Sequence, residues 1–430
     1  MKTISIQSKR SSGGQRTAML LSAIVLIASV AAHSQESGQN GLPDGKGKEV
    51  VEANCATCHQ LNRVTSAGFT REEWQRLLGT MVNYGAKLAT DQISILTDYL
   101  AANFPDRSPK AVVIPGSAEV SIKEWTVPTP SSRPHDPMVA PDGMIWYSGQ
   151  MANVLGRFDP KTAQFKEFHL PEKSGPHGLV ADKDGNVWYT ANFAAYIGKL
   201  DPKTGEVTQY PTKDPKAKDP HTPIFDKNGI LWFTMQGSNM VGRLDPKTGD
   251  MKLVTVPTPK ANPYGMVVSS KGVVFFCEFG SNKLASIDSN TMEIHEYVLP
   301  NKDARPRRIA ITPDDAIWYA DYATGHLGRF DPKTGDNKEW ASPGGTRSQP
   351  YGITTVGNVI WYSESGVKPN TVVRFDAKTE KFQTWTIPSG GGVVRNMMPT
   401  PEGNLWLACS GVNGIALVEI KGPRTTAALR

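Results

Sequence analysis

Four cysteines in 430 residues are too few for the disulfide framework that staples small secreted domains. Long apolar runs are also scarce. After residue 34 no segment approaches the roughly 20 apolar residues that a membrane span needs. A charge excess is missing as well. Residues 1–34 carry Lys2, Lys9, Arg10 and Arg16 and no acid, so without them the 47 basic residues fall by four against 41 acidic ones. That near balance, with no basic run, argues against a nucleic-acid partner. The length predicts two or three domains.

The first 34 residues read as a signal peptide. A basic stretch precedes the apolar run "TAMLLSAIVLIASVAA", and small residues follow. The alternative is an uncleaved anchor, for which the run is short. The expected location is periplasmic or secreted, with no membrane contact beyond that segment.

Next comes a compact helical segment, 45–104. Thr70 and Glu73 stand at capping-box spacing ahead of Trp74, Leu77, Leu78 and Met81 on one helical face. A second helix puts Ile93, Leu96 and Leu100 on one face, with Thr90 as its N-cap. The stretch 105–118 is rich in Pro and small residues and reads as an interdomain linker.

From 119 to 421 the period changes. Strand texts such as "IWYSG", "VWYTA" and "LWFTM" recur, with landmark aromatics Trp146, Trp188, Trp232, Phe275, Trp318, Trp361 and Trp406 spaced 42 to 45 residues apart. Each copy reads as four strands joined by Asp-Gly, Asn-Gly and "DPKTG" turns. Seven such units predict a seven-bladed β-propeller. The seventh copy lacks a fourth strand, and "VSIKEWTVP" at 120–128 resembles one. It is expected to close the ring from the other terminus, where an open solenoid is the alternative. The fold class is therefore mainly β, a propeller preceded by a small all-α domain.

"NCATCHQ" carries the chemistry of the helical segment. Two thiols at C-x-x-C spacing can form thioethers with haem vinyl groups, and the adjacent histidine then ligates the iron. Cys55, Cys58 and His59 are the expected haem c site. A zinc half-site lacks further ligands, since 34–134 holds no other Cys or His, and a redox dithiol lacks a βαβ context. Met81, the one methionine between 20 and 137, is the expected sixth ligand. Core packing is its alternative role, with Tyr84, Lys87 or an open position as substitutes at the iron.

In the propeller, His135, His177, His221, Tyr264, Arg307, Tyr351 and Arg395 stand eleven residues before the landmarks, ten in the sixth copy. In register they form one ring at a channel mouth. Three imidazoles there could hold a divalent metal, a histidine could act as a base, or Arg307 and Arg395 could clamp a carboxylate or phosphate. The alternative is a solvated channel lining without chemistry. Three residues after the landmarks, blades four to six carry Glu278, Asp321 and Glu364. Cys277 and Cys409, in nearly opposite blades, are expected to be buried free thiols.

The helical segment resembles small class I c-type cytochrome domains, with "CATCH" as attachment motif and "MVNYGAKL" as distal-ligand loop. The repeat text, as in "GPHGLVADKDGNVWYTANFAAYIGKLDPKTGEVTQYPT", resembles the streptogramin B (virginiamycin B) lyases over about 119–421. That resemblance implies elimination chemistry on a cyclic depsipeptide, with magnesium at the channel mouth. It implies a site of ring histidines from successive blades, an acid two residues before the second, and a glutamate. Here His177, Asp219 and His221 match the first three, and Met235 stands in place of the glutamate. Matched by chain order instead, the positions are Tyr351, Val393, Arg395 and Cys409.

The leading expectation is an exported c-type haem protein with a periplasmic electron donor or acceptor and a small-molecule ligand at the propeller mouth. A streptogramin B-type carbon–oxygen lyase with an accessory haem is the second, and a non-catalytic interaction platform the third.

Overall fold

The structure, a computed structural model, describes residues 41–57, 61–83 and 86–421. Cys58, His59, Tyr84 and the signal segment 1–34 lie outside the described residues. No described helix is long and apolar enough to cross a membrane.

Four helices come first: α1 (Lys48–Cys55), α2 (Asn62–Thr65), α3 (Arg71–Asn83) and α4 (Thr90–Asn103). The capping box opens α3 as its sequence predicts. The Thr70 amide donates to Glu73 Oε2 at 2.8 Å, and the Glu73 amide donates to Thr70 Oγ1 at 3.3 Å. At α4 the expectation shifts by one residue. Thr90 is already helical, and the Ala89 amide preceding it donates to Gln92 Oε1 at 3.0 Å. Trp74, Leu78, Leu96 and Leu100 are buried in one core, with Leu77, Ile93 and Cys55 packed against it. Close approach explains Gly47 at the start of α1. Its φ is +124°, and a Cβ there would lie 2.7 Å from Tyr99 Cβ on α4.

Seven four-stranded antiparallel sheets follow. Their first strands are Pro134–Val139, Pro176–Ala181, Pro220–Phe225, Pro263–Val268, Pro306–Ile311, Pro350–Val356 and Val394–Pro399. Each first strand packs against that of the next sheet, and the seventh returns to the first, so the sheets are the blades of a closed propeller. The displaced strand does what its text predicts. Glu119–Thr126 pairs antiparallel with Gly414–Lys421 along its whole length, Glu119 against Lys421 and Thr126 against Gly414. The strand brings the seventh sheet to four strands like the others, and each blade keeps only a short outer edge.

The landmark tryptophans are buried between blades. Several stack on a fourth-strand aromatic, Trp318 on Trp340 with centroids 5.5 Å apart and Trp361 on Trp385 at 5.8 Å. Blades are joined near the channel by a repeated hydroxyl two residues after the landmark. Ser148 Oγ accepts the Asp136 amide at 3.0 Å and donates to the His177 carbonyl of the next blade at 2.6 Å. Thr190 does the same between Gly178 and His221, and Thr234 between Thr222 and Tyr264. In blade four the residue is Cys277, whose Sγ accepts the Gly265 amide and donates to the Arg307 carbonyl, both at 3.2 Å. Cys277 and Cys409 are buried free thiols, as expected, and Cys277 is a blade-to-blade clip.

That role predicts a split between two substitutions. Cys277→Ser keeps both hydrogen bonds and should leave stability within about 1 kcal/mol. Cys277→Val strands a buried N–H and C=O and should cost about 1–3 kcal/mol. Urea unfolding of the two variants checks this; equal losses would contradict it.

The stretch 105–118 does not run free between the two parts. The Lys368 amide donates to the Pro109 carbonyl at 2.9 Å, and Ala111 donates back to the Lys368 carbonyl at 3.1 Å. The Ile114 amide donates to Thr384 Oγ1 at 2.7 Å, and the Thr384 amide to the Ile114 carbonyl at 3.0 Å. The segment therefore lies along the outer strand of blade six, Lys381–Thr386.

Candidate functional site

Every first strand carries a register irregularity at its start, where Pro134 pairs with Gly149 but Pro137 with Tyr147, and so on around the ring. The bulge leaves the intervening residues outside the regular alternation and re-aims them. The predicted ring residues sit there, directly after the opening Pro or Val.

The structure brings these residues together. His135 lies on His177 and His177 on His221, each with centroids 3.6 Å apart, and His221 lies 3.9 Å from Tyr264. Tyr264 and Tyr351 share a hydroxyl–hydroxyl hydrogen bond of 2.5 Å across blade five. Arg307 fills the space between them, its guanidinium carbon 3.8 Å from the Tyr351 ring centre, 4.4 Å from Tyr322 and 4.8 Å from Phe279. Arg395, half-buried, lies near enough to act electrostatically on His135 and Tyr351.

Sequence reasoning missed a second row, one residue further along. Asp136 and Arg308 are both buried, and they meet across the channel from blades one and five, Arg308 Nη2 to Asp136 Oδ1 at 2.6 Å. The same carboxylate oxygen lies 2.8 Å from His135 Nδ1, and Asn396 also bonds this carboxylate. The signal was present in the text: "PHDP" and "PRRI" put a charge directly after the ring position, which a strict alternation assigns to the opposite face.

Electrostatics follow from these placements. Burial holds the three histidines well below their ordinary value, reinforced by each other and by the nearby arginines. They are neutral at pH 7. Burial lifts Asp136, against the pull of Arg308. Burial also opposes ionisation of Tyr351, yet the surrounding arginines draw it down to about 8. The two rows thus hold three guanidiniums and one carboxylate. Among the described residues neither Arg307 nor Arg395 has an ion pair, and the Nε of each is buried without a hydrogen-bond partner.

The acids of blades four to six do not enter the channel. Asp321 accepts the amides of Arg305, Ala323 and Thr324. Glu364 accepts Ser342 Oγ and the Gly344 amide at 2.6 Å and Thr371 Oγ1 at 2.7 Å. Both close loops. Glu278 accepts Ser281 Oγ at 2.7 Å and lies beside the Glu296 carboxylate, and burial first and Glu296 second raise it to about 7. Asp219 likewise faces its loop. It accepts the Asn192 side-chain amide and, at 2.9 Å, the Gly237 backbone amide, and burial raises it to about 6. So His177 and His221 are stacked as a pair, Asp219 is tied to neighbouring loops, and Met235 is fully buried.

A divalent cation fits poorly here. His135, Asp136 and His177 offer ligand atoms within 4.8 Å of one another. The Asp136 oxygen is already held by Arg308, however, and the neighbouring guanidiniums oppose a second positive charge. The expected metal at the propeller mouth is therefore not supported by the residues present.

In the helical part, Cys55 ends α1 as a partly exposed free thiol packed on the helical core, and burial raises it. Met81 is half-buried on α3. Among the described residues this thiol has no disulfide partner, and Cys58 and His59, which complete the C-x-x-C-H spacing, lie outside them. Lys368 ties this part to the propeller, donating to Glu73 of α3 and, at 2.9 Å, to Asp106. Lys368 lies in the loop between Glu364 and Thr371, which pair with each other, and Glu364 pairs with Pro350 beside the ring. The helical part therefore docks on the face of the propeller where the ring opens.

A profile of the virginiamycin B lyase family matches residues 113–354. Among solved structures, a streptogramin B lyase superposes with a TM-score of 0.65 at 25% identity, covering 70% of this chain and 98% of that one. Virginiamycin B lyase from Staphylococcus aureus superposes at 0.64 and 23% identity, covering 70% and 99%. A catalytically inactive variant of that enzyme, solved with quinupristin, gives the same values. No curated protein matches.

Proposed function

The chain belongs to the virginiamycin B lyase family, and on that premise we propose that its propeller takes a small molecule at the channel mouth, while the helical part carries a covalent haem in an exported electron-transfer protein. The observation that carries the first half is the convergence of six of the seven first-strand side chains into one contiguous cluster, with Arg395 near enough to act electrostatically on His135 and Tyr351. The second half rests on Cys55, Cys58 and His59 at C-x-x-C-H spacing. Docking of the helical part on the ring's own face through Lys368 supports a link between the two.

Cys55 and Cys58 would hold the haem through thioethers and His59 would ligate its iron, with Met81 as the sixth ligand. Once bound, the haem supplies one-electron redox chemistry. The ring residues bind and orient the ligand, and the buried second row closes the channel behind it. Protein made in a host competent for c-type maturation should keep its Soret band after acid–acetone extraction. Cys55→Ala combined with Cys58→Ala should be colourless while still unfolding cooperatively. A colourless parent protein would remove the haem half and leave the mouth.

The second reading is elimination, and the comparisons favour it more than they favour redox chemistry. The family match and the stacked pair His177 and His221 support it. Buried Met235, the loop-bound Asp219 and the poor fit to magnesium weigh against it. Incubation with quinupristin and magnesium decides the matter by mass spectrometry. Ring opening lost in His221→Ala would establish the lyase reading; intact quinupristin in the parent protein would end it.

A further inference from the structure

Among the described residues the mouth carries more guanidinium groups than carboxylates. Three arginines face one carboxylate, and that carboxylate is taken by Arg308 and His135. The three histidines beside them carry no charge at neutral pH. Arg307 is held by aromatic rings on several sides, Tyr351 at 3.8 Å, Tyr322 at 4.4 Å, Phe279 at 4.8 Å and Tyr264 at 5.3 Å. Such a cage fixes the cation by cation–π attraction without neutralising it. An uncompensated buried cation is costly unless a counter-charge arrives. Guanidinium forks suit the paired oxygens of carboxylate and phosphate.

We propose that the mouth is an oxyanion site, in which Arg307 and Arg395 hold a carboxylate or phosphate group of the ligand between the Tyr264–Tyr351 pair and the aromatic side chains of blades four and five. This rests on the small-molecule reading of the mouth and names the chemistry of its ligand. Arg308 takes no part in binding, because Asp136 neutralises it one row deeper. The aromatic rim, Phe279 and Tyr322, packs against the remainder of the ligand. The site selects negative charge and disfavours free cations.

The test uses the full chain at pH 7 and constant ionic strength, and reads thermal unfolding and calorimetric titration with inorganic phosphate, malonate and succinate, with chloride as baseline and malonamide as neutral counterpart. At least one oxyanion should raise the unfolding temperature saturably, and malonamide should not. Arg307→Gln and Arg395→Gln should weaken that binding at least tenfold, and Arg157→Gln, at a solvent-exposed ion pair, should leave it unchanged. In chloride alone Arg395→Gln should unfold no lower than the parent, since it removes an unpaired cation; a residue with only a structural role would lower it. If a glutamine variant does not fold, Arg395→Lys, which keeps the charge and loses the fork, should still weaken binding. Response to phosphate alone assigns a phosphate ligand, and response to malonate or succinate a carboxylate. No oxyanion response, or one unchanged in the arginine variants, overturns the proposal. Malonamide binding as well as malonate would overturn it too, yet leave the mouth as a small-molecule site. No binding by any probe would count against both.

Discussion

Asp136→Asn is expected to cost about 3–5 kcal/mol of folding stability, because it breaks a fully buried ion pair and leaves the cation in place. Arg308 and Asp136 are each about one-twentieth exposed, and their contact spans the channel from blade five to blade one. No other carboxylate pairs with Arg308 among the described residues. Asparagine keeps the shape and the contact with His135 but removes the only negative charge in the two rows. The parent pair need not be strongly stabilising for this loss to occur, since the cost lies in the orphaned guanidinium. Urea unfolding at pH 7 reads the difference. Adding Arg308→Met to Asp136→Asn should recover most of it, and a single variant within about 1 kcal/mol of the parent would contradict the ion-pair account.

Acidification should destabilise the protein through the histidine stack. The folded-state values of His135, His177 and His221 lie well below the ordinary one. Below about pH 6.5 the unfolded chain therefore binds protons that the folded chain refuses. Stability falls with pH by about 1.4 kcal/mol per pH unit for each histidine. Glu278, raised to about 7, and Asp219, raised to about 6, act in the opposite sense. Burial lifts Asp136 in that sense too. These carboxylates gain protons in the fold first and offset part of the loss. A difference measurement isolates the histidine contribution. His177→Gln should lose about 2 kcal/mol less than the parent between pH 7 and pH 5. Parallel pH profiles for the two proteins would show that His177 is charged or solvated in the fold.

Much of this architecture was legible because the repeat is regular. The landmark tryptophans, the turn texts and the orphan strand at 120–128 are local signals, and ring closure follows from counting strands. The ring was legible for the same reason, as positions equivalent by register reach one channel. What alternation could not supply was the bulge at each first strand, which turns the next residue inward as well. Asp136 and Arg308 therefore went unread, and with them the balance between cation and anion that weighs against a metal. Asp219 carries a loop contact that spacing does not disclose. Its spacing from His221 matches a catalytic acid, but its φ of +59° and its two amide donors make it a loop anchor. The stretch 105–118 has a linker's composition, yet its backbone groups pair with blade six, which only tertiary contacts disclose. Cys58 and His59 lie outside the described residues, so the haem site rests on its spacing and on Cys55.

The most direct test of a haem part serving the propeller mouth is the visible spectrum of the oxidised, anaerobic protein during addition of small organic hydroxy acids and other oxidisable carboxylates. The account predicts that at least one of them reduces the haem, the two electrons of each substrate going one each to the haems of two chains and its two protons to solvent, and that Arg395→Gln slows this reduction at least tenfold at low substrate. A haem that dithionite reduces but no member of a broad panel does, or one reduced equally fast in the variant, would contradict it.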